Sequence, residues 1–302
     1  MRDSVMVDLR LKGHYGLDDV LPVMSRLGVG RMNLDVSMAH PICGVRRLSE
    51  VGAKIRDAGI AVETYITHHV LGENSPDALA CKIDAAKAVG ARAFCLSIPS
   101  DGNIERSRET GPRRSAEYCN LEKYVLSDWE KARRDLRAVG LGIRLSWVSG
   151  VYGRSGNYLQ QLLALDGGDD VGVSWRSYND ADYMDENFPL LRAFGKRICD
   201  FSFSFDGNGR WFPHGYTPYR HYPEYTLEQK KEKCIEDFCK RWHSTLDYLP
   251  VGVMGSVEFR IGDEEGEDEA FLVSQLDALA DELKKSERRK KASTKGERRS
   301  GK

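Results

Sequence analysis

Arginines and carboxylates recur at alternate positions within short, largely apolar segments of this chain. Arginine binds phosphate and carboxylate groups through paired hydrogen bonds, and carboxylates can take up and return a proton. Side chains of a β-strand point alternately to opposite faces, so the charged positions of each segment are predicted to share one face. The residues concerned are Arg10, Arg144, Arg176 and Arg260, together with Asp8, Asp35, Glu63, Asp206 and Glu258.

The segment 47–69 shows which elements must position such residues. Its first part has apolar residues at helical spacing, and Gly59 follows where a helix commonly ends. Apolar and polar residues then alternate from Val62 to Thr67, which predicts a strand with two unlike faces. His68 and His69 follow at its end. Units of this kind recur about eight times along the chain.

Eight strands that alternate with helices predict a parallel sheet closed into a (β/α)8 barrel over residues 1–283. A doubly wound open sheet would usually have a glycine-rich turn after its first strand, and KGHYGLD at 12–18 is not such a turn. The longest predicted loops, including 101–120, follow strands, at the end of a barrel where active sites lie. The predicted strands are 5–11, 32–37, 62–67, 93–98, 143–148, 171–177, 198–206 and 255–261.

The two faces of each predicted strand can be separated, and one set gives a polar barrel interior. Barrels are ordinarily filled with branched apolar side chains, so polar inward residues predict a ligand site. The alternative is structural pairing of the arginines with the carboxylates, although a core is more readily stabilised by hydrophobic residues than by buried ion pairs. The predicted inward set is Asp8, Arg10, Asn33, Asp35, Ser37, Glu63, Tyr65, Thr67, His69, Cys95, Ser97, Arg144, Ser146, Ser174, Arg176, Ser202, Ser204, Asp206, Ser256, Glu258 and Arg260.

Charge is distributed unevenly along the chain, whose formal net charge is −1. Residues 284–302 contain ten Lys or Arg and two Glu, whereas residues 1–283 contain 35 Lys or Arg and 44 Asp or Glu. The basic segment has no apolar residue beyond Ala292, so we expect a disordered, solvated tail. Nucleic-acid binding is not expected of the acidic body, and this tail is the segment whose charge suits it.

Three further features concern location. No run of about 18 apolar residues occurs, so no membrane-spanning helix and no membrane partner are expected. The first residues lack the apolar stretch of a signal peptide. The seven cysteines are scattered without a CxxC pair, which is typical of reduced, buried thiols rather than of zinc ligands. We therefore predict a cytoplasmic protein.

Six segments resemble the xylose isomerase-like barrels, which include sugar phosphate isomerases and epimerases and a branch of DNA-repair endonucleases. They occur in order between residues 5 and 283. The segments are LGVGRMNLDVS, IRDAGIAVETYITHH, AAKAVGARAFCLSIPS, AVGLGIRLSW, DDVGVSW and LPVGVMGSVEFRIG. The resemblance implies a (β/α)8 barrel with chemistry beside a carbonyl group.

The resemblance also implies a divalent metal (Mn, Mg or Zn). Family members usually hold it with Glu after strand five, Asp after strand six, His or Asp near strand seven, and Glu on strand eight. Glu258 matches the last position, and Asp206 or His214 suits the third. Ser146-Trp147 and Trp175-Arg176 stand at the first two positions instead. A guanidinium cannot bind a metal, so the usual set of ligands is incomplete.

Two kinds of site remain open at this point. In one, a metal binds at a shifted position through His68 or His69, Asp206, His214 and Glu258. In the other, which we favour, arginines replace the metal as the positive charge and hold a phosphate or carboxylate group. The predicted substrate-binding residues are Arg10, Arg144, Arg176, Arg260, Trp211 and His214.

These residues favour a sugar or sugar-phosphate isomerase or epimerase that transfers a proton next to a carbonyl. Glu258 is the predicted base, and Asp206, Glu63 and His69 are further candidates. One alternative is a non-catalytic or metal-free barrel that binds sugars or anions. Another, with less support, is an endonuclease-like metal hydrolase. The expected partner is a small-molecule substrate, and the aromatic loop around Trp211 would cover the lumen or join copies of the chain into a homo-oligomer.

Overall fold

Eight parallel strands form a closed barrel in the order of the sequence, which confirms the predicted fold class. Strand β1 pairs with both β2 and β8, so the sheet has no free edge. The computed structural model of the protein describes residues 4–10, 17–36, 45–71, 76–98, 112–148, 159, 162–164, 170–177, 191–203, 225–260 and 269–300. The strands are β1 (Val5–Arg10), β2 (Arg31–Asp35), β3 (Ala61–Val70), β4 (Ala93–Ser97), β5 (Gly142–Val148), β6 (Val171–Ser177), β7 (Ile198–Phe203) and β8 (Met254–Arg260).

Helices surround the barrel and connect successive strands. A capping box starts one of them: Thr226 Oγ1 accepts a hydrogen bond from Gln229 N, and the Gln229 side chain accepts one from Thr226 N. Within the described residues, no helix is both long and apolar enough to cross a bilayer. The helices are α1 (Leu17–Arg26), α2 (Val45–Asp57), α3 (Pro76–Ala88), α4 (Pro112–Ala138), α5 (Leu227–Tyr248) and α6 (Glu269–Ser300), with a 3₁₀ turn at Gly195–Arg197.

Helix α4 begins nine residues before the predicted start at Leu121. The prediction of a loop over 101–120 is therefore wrong for 112–120, and residues 101–111 lie outside the described part. Pro112 suits the first helical position, where its missing N–H is not needed. The Arg, Ala and Glu residues that follow it favour a helix, so polarity alone was a poor sign of a loop here.

The apolar face of the strands packs against the helices. Trp175 and Phe201 meet edge to face, with ring centroids 4.6 Å apart, and both side chains are fully buried. This core confirms the predicted outward set over most of the barrel. Its members include Val7, Leu9, Leu34, Val62, Phe94, Leu96, Ile143, Leu145, Val171, Val173, Phe201 and Val257.

A register shift between β2 and β3 changes which residues of β3 face the lumen. Asn33, an inward residue of β2, pairs with Thr64, so one extra residue of β3 is accommodated before this pair. Tyr65 therefore joins the outer core, with its ring 6.0 Å from that of Phe94. A shift of one residue moves each side chain to the opposite face. The prediction that Tyr65 faces the lumen is wrong, and Ile66 takes an inward position instead.

Helix α6 runs through Ser300, so the basic segment from Lys284, which the sequence predicts as a separate disordered tail, continues the last helix of the barrel. Starting a helix is unfavourable, whereas extending one adds a hydrogen bond for each residue that is fixed. Lys, Arg and Glu, which dominate 284–299, also have good helix propensity. A segment that cannot fold alone is thus ordered here as the continuation of a helix that packs on the barrel.

The first turns of this basic segment are fastened to the end of α5. Ser286 is buried, and its Oγ donates to the Leu246 carbonyl at 2.9 Å. Lys290 Nζ donates to the same carbonyl at 2.6 Å. Arg289 binds the Asp247 carboxylate, with Nη2 2.7 Å from Oδ1. Burial alone would raise the pKa of Asp247, but hydrogen bonds from Arg289 and Ser286 outweigh it and hold that pKa below its usual value.

We expect Arg289→Ala to lower the free energy of unfolding by about 1 kcal/mol at pH 7, because it removes a charge-assisted hydrogen bond between α6 and α5. The matched control is Arg288→Ala, whose side chain is exposed on the same helix and should change stability little. Urea unfolding at several pH values provides the measurement. Because the pKa of Asp247 is lowered in the folded state, the difference between the two variants should shrink as the pH falls through that pKa. Equal effects of the two variants would show that the segment is not fastened to α5.

Candidate functional site

A buried carboxylate on β1 organises the polar interior. Asp8 Oδ1 accepts a hydrogen bond from Asn33 Nδ2 of β2 at 2.7 Å, and Oδ2 accepts one from Ser202 Oγ of β7 at 2.5 Å. Asp8 is 1% exposed, so these donors replace water around its charge. Strands β1 and β7 are not neighbours in the sheet, so the bond to Ser202 crosses the lumen. The polar residues at these positions therefore face inward, as predicted.

A second carboxylate, Asp200 of β7, is buried in the same interior. It accepts a hydrogen bond from Ser174 Oγ of β6 at 2.5 Å. The buried Ser256 of β8 donates to the Phe201 carbonyl at 3.4 Å. Asp200 was absent from the predicted inward set, although it stands two residues before Ser202 on the same strand. Strict alternation along β7 is the signal that would have found it.

The backbone register brings charged residues together toward the C-terminal end of the barrel. Strands β1 and β8 pair Asp8 with Glu258 and, two residues later, Arg10 with Arg260. On its other side Arg10 pairs with Asp35, which is 2% exposed. Paired residues on neighbouring parallel strands occupy the same face of a sheet. Positions 258 and 260 therefore belong to the inward-facing register, at the end of the barrel where active sites form.

Arg144 of β5, by contrast, lies near the N-terminal end of the lumen. Its Nη1 donates to the Ile143 carbonyl at 3.1 Å and stands 3.1 Å from where a Cβ on Gly172 would be. The Cys199 thiol lies beside the same glycine, since a Cβ added to Gly172 would overlap with its Sγ. Burial raises the pKa of this thiol, and the charge of Arg144 opposes the rise. Gly172 thus leaves room for both groups, and the Arg144 guanidinium lies away from the C-terminal end.

Glu63 also lies at the N-terminal end. Its Oε1 accepts a hydrogen bond from Arg92 Nη1 at 2.8 Å and stands 3.6 Å from Arg31 Nη1. Arg31 is the first residue of β2 and Arg92 directly precedes β4, so all three groups belong to the end opposite to the usual active site. These contacts assign Glu63 an ion-pairing role between strands, and they do not fit the predicted catalytic role.

His69 lies on the outer side of β3. Its neighbour Val70 pairs with Ser97, an inward position of β4, so His69 takes the opposite face. Its Nε2 stands 3.6 Å from Asp128 Oδ2 of helix α4, and neither ring nitrogen has a hydrogen-bond partner among the described residues. This position is separated from the lumen by the strand itself, so the predicted catalytic and metal-binding roles of His69 do not fit.

The remaining predicted site residues are described only in part. The structure gives the backbone of Arg10, Arg176, Glu258 and Arg260, all within three residues of a strand's C-terminal end. Asp206, Trp211 and His214 lie outside the described residues. Of the predicted site, the register therefore brings together positions 10, 258 and 260, with Asp8 and Asp35 beside them.

Solved structures with the same architecture are known, although their sequences differ widely from this one. No family model and no curated protein matches the chain. An L-ribulose 3-epimerase superposes with a TM-score of 0.58 at 11% identity, covering 96% of this chain and 98% of that chain. The chain therefore shares the (β/α)8 barrel fold of that enzyme. A xylose isomerase domain-containing protein of Salmonella typhimurium (TM-score 0.55, 11% identity, 94% of this chain and 98% of that chain) and an AP endonuclease of family 2 from Brucella melitensis (0.51, 11%, 89% and 96%) share it.

The described part of this barrel does not supply the metal site that the resemblance implies. Within the described ranges, no group of three or more His, Cys, Asp or Glu side chains is arranged to hold a metal ion. Both carboxylate oxygens of Asp8 already accept hydrogen bonds from other strands. His69 faces Asp128 across the outer layer, so it is not placed to bind the shifted metal. The side chains of His68, Asp206, His214 and Glu258 are outside the described part.

We expect Asn33→Asp to make stability strongly dependent on pH, because it places a second carboxylate 2.7 Å from Asp8 in the barrel interior. Repulsion raises the pKa of the introduced carboxyl in the folded state, so the folded protein gains a proton that the unfolded chain does not hold. The loss of unfolding free energy relative to the wild type should be on the order of 3 kcal/mol at pH 8 and should shrink as the pH falls toward 5.

The control for this variant is Ser202→Ala, which removes a donor to Asp8 without adding charge. Its loss should be on the order of 1–3 kcal/mol, with little change over the same pH range. Urea unfolding at pH 5, 6.5 and 8 compares the two variants. A loss for Asn33→Asp that stays constant over this range would contradict the buried Asp8–Asn33 contact.

Proposed function

We propose that this barrel is a sugar or sugar-phosphate isomerase or epimerase that transfers a proton next to a carbonyl. The observation that carries the proposal is the register that sets Glu258 beside Asp8, and Arg260 beside Arg10. A base and two guanidinium groups at one end of a polar lumen are what such a reaction requires. The L-ribulose 3-epimerase with the same fold supports the choice of substrate class.

In the proposed reaction, Glu258 removes a proton from the carbon next to the substrate carbonyl. The electrons of the broken C–H bond form an enediolate, whose oxygen carries the negative charge. Arg10 and Arg260 stabilise that charge, or hold the substrate phosphate, through bidentate hydrogen bonds. In an isomerisation, the proton of the adjacent hydroxyl moves to the enediolate oxygen, and the Glu258 carboxylic acid returns its proton to the former carbonyl carbon, so that the carbon first deprotonated becomes the new carbonyl. Protonation of the carbon first deprotonated from its other face completes an epimerisation, and Asp206 is the proposed second acid.

The Asp8 contacts support this chemistry indirectly. Asp8 keeps a fixed position because donors on two other strands hold its two oxygens. We also propose a cytoplasmic location, which is consistent with the free thiols of Cys81, Cys95, Cys199 and Cys239.

We expect Glu258→Gln to lower turnover by roughly 100-fold or more, because the amide cannot accept the proton. The assay follows exchange of the substrate C–H proton with deuterium from D₂O by NMR, over a panel of ketoses, aldoses and their phosphates. The matched control is Glu63→Gln, which makes the same chemical change at the opposite end of the barrel and should leave exchange within about twofold.

Circular dichroism and thermal unfolding check that both variants fold. Undiminished exchange in a folded Glu258→Gln variant would rule out the proposed base. Loss of exchange in Glu63→Gln alone would instead return the catalytic role to the N-terminal end of the lumen.

The second candidate is a barrel that binds sugars or anions without a metal and without turnover. The favouring observation is that β5 and β6 place the serines Ser146 and Ser174 in register, near the positions where the related barrels usually supply acidic ligands. Ser174 already donates to Asp200. An endonuclease-like hydrolase is less well supported, because it needs a cluster of metal ligands and none occurs among the described side chains.

Metal content distinguishes these candidates. We expect protein purified without chelator to contain well under one equivalent of Mn, Zn, Mg or Co by mass spectrometry. We also expect its thermal unfolding midpoint to be unchanged after EDTA dialysis, because Ser146 and Arg176 stand where the resemblance implies acidic ligands. About one tightly held ion per chain, lost with stability on EDTA treatment, would contradict the arginine-based site. Saturable binding of sugar phosphates without proton exchange would favour the binding protein over the enzyme.

A further inference from the structure

The N-terminal end of the barrel is rich in basic residues. Helices run antiparallel to the strands of such a barrel, so their last turns meet at this end. Positive side chains there stabilise the negative ends of the helix dipoles. Arg31 and Arg92 add charge at the strand starts, and each retains about half or more of its side-chain exposure, at 48% and 62%. The basic residues in the last turns include Arg26, Lys54, Arg56 and Lys87.

Helix α6 carries this basic surface beyond the barrel. Lys290 Nζ donates to the Leu246 and Leu249 carbonyls at 2.6 and 2.7 Å, at the end of α5 and therefore at the N-terminal end of the barrel. The helix continues for ten residues more, to Ser300. At 1.5 Å per residue these add about 15 Å. Residues 291–293 are all exposed, so the helix projects into solvent past the last contact of Lys290.

The exposed side of α6 presents positive charge at helical spacing. Lys284, Arg288 and Lys291 follow one another at intervals of four and three residues, which places them on one face. The side chains of Lys284 and Lys291 are 49% and 67% exposed, and among the described residues both make only exposed ion pairs, which contribute little. Arg288 is exposed and makes no ion pair within the described ranges. Arg289 and Lys290, between them, are engaged with α5.

We propose that the exposed face of α6 at Lys284, Arg288 and Lys291, together with the basic N-terminal end of the barrel, binds the phosphate backbone of a nucleic-acid duplex without reading its sequence. Phosphate neutralisation by Lys and Arg supplies nearly all of the affinity in such binding. Residues 284–302 contain ten Lys or Arg against two Glu, which gives the required complementary charge. This surface lies opposite to the proposed catalytic end, so both can act in one molecule.

A duplex fits this surface better than a lipid membrane does. The segment has no apolar residue beyond Ala292, so it has no hydrophobic face to insert between lipids. Residues 1–283 carry 44 Asp or Glu against 35 Lys or Arg. An anionic membrane is a broad plane, so this excess of negative charge would repel it while it contacted the helix. A rod-shaped duplex can contact the projecting helix while staying away from the acidic parts of the barrel.

The test measures fluorescence anisotropy of a labelled 20-base-pair DNA duplex from 50 to 300 mM KCl. We expect the full-length protein to bind with a Kd of roughly 1–100 µM at 100 mM KCl and with strong salt dependence. The double substitution R288Q/K291Q should weaken binding about tenfold at 100 mM KCl. It should also lower the slope of log Kd against log salt by about two, because two phosphate contacts are lost. Proton exchange on the sugar panel should stay unchanged.

The matched control is K233Q/K240Q, which removes two positive charges from the outer side of α5. These lysines pair with Glu236 and lie away from the end of that helix. Binding by the control should match that of the wild type. The proposal is overturned if the duplex does not bind at 50 mM KCl, if the two double variants weaken binding equally, or if phosphatidylserine vesicles bind the wild type more tightly than the duplex does.

Discussion

The hydrogen bonds to the Asp8 carboxylate are the constraint on which the interior of this barrel depends. A charge that is 1% exposed needs a donor for each oxygen, and here Asn33 and Ser202 supply them from two other strands. The donors can reach Asp8 only if three strands keep their mutual register. The register in turn sets which residues stand beside Asp8 on β8. The hydrogen bonds of one buried carboxylate thereby depend on the same strand register that places Glu258 and Arg260 at the C-terminal end of the barrel.

Period-two alternation made most of the barrel predictable from the sequence. Val171–Ser177 is the sixth strand in the sequence prediction and in the structure, and the other described strands differ from their predicted bounds mainly at the ends. The alternation fails in β3, because the extra residue near Glu63 depends on how β2 pairs with it. It also fails at His69, where the register with β4 shifts again. Pairing between strands is a long-range property, and a pattern within one strand does not contain it.

The candidate site was predictable in its residue types and less so in its geometry. Inward positions for Asp8 and Asn33 follow from the strand pattern, and the register at Glu258 agrees with it. The direction of a long side chain does not follow from that pattern. Arg144 occupies an inward position, yet its guanidinium lies toward the N-terminal end because the glycine at 172 leaves space there. The order of the basic helix at Lys290 likewise depends on carbonyl groups of another helix.

The closing pair of strands has a consequence for synthesis of the chain. Strand β1 completes its pairing only with β8, which follows it by more than 240 residues. During translation, at roughly 5–20 residues per second, the edge of β1 that β8 will cover stays without its partner for on the order of tens of seconds. Helix α6 packs on both strands and emerges later still. A ribosome-bound chain therefore carries an open sheet edge until β8 has been made, and exposed edges are where nascent chains associate with one another or are bound by chaperones.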